Sequence, residues 1–197
     1  MHKHIKWTLI PLMLIAVGCS KAPVEDFSMA DQSIEGARMS KAEQFASEEW
    51  RMAMDTLEAA KTEKAKQDDR FTMFRSYGHS KELAQSAARL AAEAKTAAEQ
   101  EIAYRRQQAE EQIASARGQI EQVSALLATA PVGKGNRADI ELMKQDLEAM
   151  KLVLDETAGD LQRLDFDAAA SKTQTVLDKC AQMTTELQAA IQKKSRA

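Results

Sequence analysis

The chain has 197 residues, 27 basic against 30 acidic side chains and a net charge of −3, with 44% apolar and only 5% aromatic residues. That length suits one domain or a domain with an elongated extension, and the interspersed charges describe a solvated helix face, with no basic block to call for a nucleic-acid partner. Ala, Glu, Gln, Lys, Leu and Met dominate and prolines number 3, so the expected fold class is all-α.

The amino terminus, Met1 to Lys6, is short and basic, and the 11 residues from Trp7 to Val17 are apolar apart from Thr8 and Pro11. This is the build of a secretory signal peptide, and it falls short of the roughly 20 residues a spanning helix needs. The segment Ile15-Ala16-Val17-Gly18-Cys19-Ser20 resembles the lipobox of bacterial lipoproteins, with Ala16 where the usual Leu stands. The resemblance implies loss of residues 1–18 by cleavage between Gly18 and Cys19, a covalent diacylglycerol on the Cys19 thiol and an N-acyl chain on the new amino terminus. One acyl chain holds a protein marginally, whereas several on one residue make a stable anchor. By the same resemblance, Ser20 in place of Asp implies the outer membrane, facing the periplasm. The alternative is an ordinary signal peptide with Cys19 incidental.

Without residues 1–18 the net charge is −5, His79 is the only imidazole and Cys180 the only unmodified thiol. No intramolecular disulfide is then possible, while an intermolecular one through Cys180 stays open.

Residues 19–27 read as a lipidated tether, and residues 28–128 as an N-terminal helical domain. A first helix over about 28–43 is suggested by Met29, Ile34, Ala37 and Lys41 on one stripe. Ser47 is the expected N-cap of a second helix over about 48–74, with Glu48 and Glu49 against its dipole and Trp50, Met54, Leu57, Ala60 and Lys64 stacked on one side. A break is expected near Ser76-Tyr77-Gly78, and Ser80 can cap the next helix.

The third helix, about 79–128, is long and Ala-rich, with 15 alanines between residues 80 and 130. At roughly 1.5 Å per residue it would measure about 75 Å. Its seam follows Leu83, Ala87, Leu90, Ala94, Ala98, Ile102, Arg106, Ala109, Ile113, Ala116, Ile120, Val123 and Leu127, 12 steps over 44 residues with a mean period of 3.67. A left-handed coiled coil needs about 3.5, so the seam suits a nearly straight helix packed on neighbours.

Residues 129–137 form the clearest loop, carrying Pro131, Gly133, Gly135 and Asn136. Its Gly-Lys-Gly lacks the spacing and the preceding strand of a phosphate-binding loop. A C-terminal helical hairpin is expected over 138–193. Its arms carry Ile140, Met143, Leu147, Met150, Leu154 and Leu161, then Val176, Cys180, Met183, Leu187 and Ile191, with the turn near residues 164–167. The stripes would zip together and can also cover the third helix. The expected architecture is elongated antiparallel helical hairpins in a bundle.

The stretch Phe45-Ala46-Ser47-Glu48-Glu49-Trp50, with Leu57, Ala60 and Tyr77-Gly78-His79-Ser80-Lys81-Glu82-Leu83-Ala84 after it, resembles a family of small bacterial envelope lipoproteins that carry a domain of unknown function. The resemblance covers about residues 28–105 and implies a hairpin similar to tetratricopeptide repeats. Ser47 stands where that family has a proline, and no catalytic residue comes with the resemblance.

Reaction chemistry finds little support. His79 beside Ser80 lacks a glycine elbow and an oxyanion hole. The adjacent pairs Glu48-Glu49, Asp68-Asp69 and Glu110-Glu111 diverge by about 100° on a helix, so they cannot face one substrate. The eight methionines beyond residue 18 read as core filling, not copper ligands, and no other metal site or cofactor is indicated.

Tyr104, Arg105 and Arg106 interrupt the alanine seam. A buried, unpaired Arg106 would be costly, so this part of the helix is expected to project beyond the core or to pair with an acid. That makes it the candidate partner surface. The expected function is a non-enzymatic, membrane-anchored helical adaptor or scaffold that meets envelope proteins or the cell wall, with no small-molecule substrate. The alternative is an oligomeric spacer between membrane and wall, similar in style to the major murein lipoprotein but without its terminal lysine.

Overall fold

The computed structural model describes residues 21–133 and 136–195. Residues 1–20, which hold the expected signal peptide with Gly18, Cys19 and Ser20, lie outside the described residues, as do Lys134 and Gly135 in the 129–137 loop. Among the described residues the fold is all-α, without a strand. Its helices, in chain order, are α1 (Val24–Met39), α2 (Ala42–Phe45), α3 (Ser47–Asp68), α4 (Gly78–Thr129), α5 (Arg137–Gln162) and α6 (Phe166–Ser195), with a 3-10 turn, Thr72–Phe74, between α3 and α4. Among these helices none is long and apolar enough to cross a membrane. The chain forms two compact units, divided inside α4 between Ala98 and Glu99.

In the first unit α1 and α3 run antiparallel. Asp31 accepts from Lys61 at 3.2 Å, and the Arg38 guanidinium lies 5.8 Å from the Trp50 ring, so the start of each helix meets the end of the other. The start of α1 meets the start of α4, where Asp26 accepts from Gln85 at 2.7 Å and pairs with Lys81 at 3.9 Å. The core is built of Ala30, Ala37, Ala42, Ala46, Ala53, Ala87, Ala91, Ala94 and Ala98, with Ile34 and Leu57. Alanine at the contacts lets helix axes approach at the near end of the usual 8–10 Å.

Some large side chains are left outside this contact while neighbouring alanines enter it. Met29 is 60% exposed while its neighbour Ala30 is fully buried, and Met54 is exposed while Ala53 is fully buried. The rest of each expected stripe faces inward, with Ile34 and Ala37 buried on α1, Leu57 and Ala60 buried on α3 and Trp50 half-buried, so the departure is confined to the methionines and to Lys41. Lys41, expected on the first stripe, is exposed in a left-handed conformation (φ 61°) between α1 and α2.

Several expected ends also shift. The tether is shorter than residues 19–27, because α1 opens at Val24 behind Pro23 with Glu25 and Asp26 in its first turn. Ser47 is the first residue of α3 and not its cap; Ala46 holds that place without a side-chain bond. Ser80 does not cap α4, since its buried hydroxyl donates to the Tyr77 carbonyl at 3.0 Å.

Helix α3 stops at Asp68, well before residue 74. There the Arg75 guanidinium donates to the carbonyls of Asp68 (2.7 Å) and Arg70 (2.9 Å), satisfying groups that another helical turn would use. Gln67 accepts from the Ser76 amide at 3.1 Å and donates to Glu63 at 2.8 Å. Tyr77, buried, donates its hydroxyl to Asp68 at 2.5 Å, and Lys64 donates to the same carboxylate at 2.7 Å. The connection is braced at both ends.

In the second unit the far half of α4 runs antiparallel to α5, as the Arg117–Asp155 pair at 3.2 Å and the bond from Arg106 to the Leu161 carbonyl require. Helices α5 and α6 form the hairpin. Leu164 takes the left-handed conformation (φ 59°) at the turn, and the Asp165 carboxylate accepts from the Ala168 amide at 3.1 Å, closing the first turn of α6. The core gathers Ile120, Val123, Leu127, Leu147, Met150, Leu154, Val176, Cys180, Met183 and Leu187. Residues 99–128, grouped by the sequence pattern with the N-terminal domain, therefore share their core with the C-terminal hairpin. Along α4 the expected seam holds as a buried or half-buried stripe from Leu83 to Leu127.

Candidate functional site

Of the residues that carry the sequence-based expectations, Gly18 and Cys19 lie outside the described residues, while Tyr104, Arg105 and Arg106 sit on α4 in the second unit. Consecutive helical residues point about 100° apart, so the three do not act as one group. Tyr104 is 56% exposed and its hydroxyl accepts from Gln108 at 2.6 Å, one turn on. Arg105, also exposed, donates to Glu101 at 2.6 Å.

Arg106 corrects the sequence-based expectation. It neither projects beyond the core nor meets an acid, but donates to the Leu161 carbonyl at 3.4 Å, at the end of α5. The last turn of α5 holds no basic residue of its own, so Arg106 brings a positive charge to the negative end of that helix dipole.

Tyr104 and Arg105 border a cavity of about 310 Å³ that Gln108, Phe166 and Asp167 also line. Phe166, buried at the start of α6, supplies the apolar part, and Glu101, Arg105 and Asp167 give the rim both signs of charge.

Elsewhere, Asp68, Tyr77, Asp160 and Lys172 have pKa values shifted by their bonded partners. Asp160 is 3% exposed and receives Arg163 at 2.6 Å and Lys172 at 2.9 Å. Lys172 first, then Arg163, holds the Asp160 carboxyl below the usual carboxylate range against the opposing cost of burial, and Asp160 in turn raises Lys172. Bonds from Lys64 and Tyr77 similarly depress Asp68, and the bond to Asp68 raises the Tyr77 phenol. Asp69 is exposed, so the Asp68-Asp69 pair diverges.

His79 is exposed at the second position of α4. Among the described residues no group of three or more His, Cys, Asp or Glu side chains is placed to hold a metal ion. Cys180 is fully buried with its Sγ 4.0 Å from the Met150 Sδ, and burial pushes its thiol pKa up. A thiol so enclosed is barred from an intermolecular disulfide while the unit is folded.

One surface feature escaped the sequence pattern. Phe71, Met73 and Phe74, in the connection between α3 and α4, are 72%, 57% and 68% exposed, and the two phenyl rings lie 6.5 Å apart. The sequence pattern places these residues in the last turn of a long second helix. The early end of α3 is what turns them outward.

No protein-family model, no curated protein and no solved structure matches the chain.

Proposed function

We propose that the chain is a lipoprotein anchored in the outer membrane and facing the periplasm, whose helical body serves as a non-enzymatic adaptor or scaffold for envelope proteins or the cell wall. The segment Ile15-Ala16-Val17-Gly18-Cys19-Ser20, placed directly behind an apolar run of signal-peptide length, is the observation that carries this reading. A thioether-linked diacylglycerol and an amide-linked acyl chain at Cys19 would then form the membrane contact. The adaptor half is supported by the exposed Tyr104 and Arg105 beside their cavity, a surface that offers recognition without reaction chemistry.

Mass spectrometry of the chain recovered from the membranes of a Gram-negative host tests the anchor. The expected product begins at Cys19 and carries the mass of three acyl chains, and Cys19→Ser abolishes it. A chain recovered with an unmodified Cys19 would sink the reading. A photo-crosslinking residue at Tyr104 tests the adaptor, which is lost if no partner is captured reproducibly. The alternative, an oligomeric spacer between membrane and wall, draws support from the unbroken 52 residues of α4. It predicts a self-associating chain in sedimentation, and a monomer counts against it.

A further inference from the structure

Four exposed apolar side chains of the first unit, Val24, Phe71, Met73 and Phe74, lie at one end of it. Asp26, in the first turn of α1, bonds Gln85 and pairs with Lys81 in the first turns of α4, so the start of α1 stands beside the connection that leads into α4. Val24, the first residue of α1, is 68% exposed there, at the same end as Phe71, Met73 and Phe74. Cys19 precedes Val24 by five residues, a span of at most about 18 Å when fully extended. A short stretch of chain thus links residue 19 to the end of the unit that carries the aromatic tip.

We propose that Phe71, Met73 and Phe74 form a second membrane contact that enters the interfacial layer of the bilayer beside the lipid on Cys19. The proposal rests on the reading of Cys19 as lipidated. Two phenyl groups and a thioether chain exposed together gain by leaving water, and an acyl surface accepts them without a matching pocket. A second copy of the chain is a poorer occupant, because three side chains fall far short of the roughly 800 Å² per partner of a stable interface.

The tip is also rigidly presented. The bonds from Arg75 to Asp68 and Arg70, from Ser76 to Gln67 and from Tyr77 to Asp68 fix the backbone on either side of it, so insertion orders little that was free. Lys21 and Arg70 are exposed near the tip, and so are Glu25 and Asp69. With both signs present, apolar burial and not attraction to anionic lipid drives the contact, which should vary little with salt.

The test uses the full-length chain, processed in a lipoprotein-competent host and reconstituted into vesicles of phosphatidylethanolamine and phosphatidylcholine. An environment-sensitive fluorophore is placed on Met73→Cys, and for comparison on Met39→Cys, which is 76% exposed at the far end of α1. Buried Cys180 and acylated Cys19 leave the new thiol as the labelling site. The expected result is blue-shifted emission at position 73, quenched several-fold more strongly by a lipid-borne nitroxide than at position 39. Phe71→Ser combined with Phe74→Ser should abolish the shift while the chain stays anchored.

A label at position 73 that remains as aqueous as the one at 39, on a chain whose mass shows the acyl groups, overturns the tip contact and leaves the anchor standing. A blue shift that the lipid-borne quencher cannot reach assigns the tip to a second copy or another protein and also overturns the proposal. Absence of acyl mass on Cys19 removes the anchor reading, and the tip proposal with it.

Discussion

Nine alanines around Ile34 and Leu57 make the core of the first unit, whereas leucine, isoleucine, valine and methionine fill that of the second. Both units use three main helical segments, and α4 contributes one half to each. The difference lies in how closely backbones approach. Where alanines line the contact, small side chains leave room for close packing of helices, and Met29 and Met54 stay exposed beside buried Ala30 and Ala53. Where Leu154, Val176 and Leu187 share one core, stability comes from interlocking side-chain volume. The two cores should therefore fail under opposite changes.

The largest effect is expected in the second unit. Leu154 and Leu187 are each 1% exposed. Truncating either to alanine should cost about 2–5 kcal/mol, read from urea denaturation. Enlarging Ala94, fully buried in the first unit, to leucine should cost about 1–3 kcal/mol through overpacking. If Ala94→Leu proved neutral, the first core would have slack and the contrast would collapse.

A smaller loss is expected for Asp160→Asn, and its pH dependence sharpens the comparison. Because the folded chain holds the Asp160 carboxyl below its ordinary range, its contribution is fully present above the ordinary carboxylate pKa and fades only as pH falls through the folded value. The stability gap between the wild-type chain and Asp160→Asn should therefore be widest at neutral pH and close in acid, with hydrogen exchange placing the loss around the hairpin turn. A gap that widened toward acid would contradict the assignment. Lys172 acts with the opposite sign: raised by Asp160, its contribution is fully present below the ordinary lysine pKa and is lost as pH rises through the folded one. The smallest effect, about 0.5–1 kcal/mol, is expected for Arg106→Gln, which removes the charge at the end of α5; fraying of residues 158–162 in hydrogen exchange would report it.

The contrast also accounts for how far the chain could be read from its residues. The seam of α4 was legible because periodicity depends on spacing and not on size, and the hairpin was legible because its stripes are large and aliphatic. On α1 and α3 Ile34, Ala37, Leu57 and Ala60 lie on the expected faces, whereas Met29 and Met54 do not, because a hydrophobic pattern favours bulky residues where Ala30 and Ala53 are the ones buried. The early stop of α3 carried no nearby signal, since the Arg75 bonds that end it arrive from the far side of the connection. The Phe71–Phe74 tip went unnoticed for the same reason.

By itself the sequence determined the helical fold class, the extent of α4, the turn near Leu164 and the order of the elements, because propensity, periodicity and turn chemistry act within a few residues. Only the tertiary structure decided that α4 is divided between two cores, that Arg106 serves the end of α5, that Cys180 is sealed and that an aromatic tip stands at the end of the first unit where α1 begins. Each of these depends on the distance between segments remote along the chain, set by the volume of the side chains between them, which no local pattern encodes.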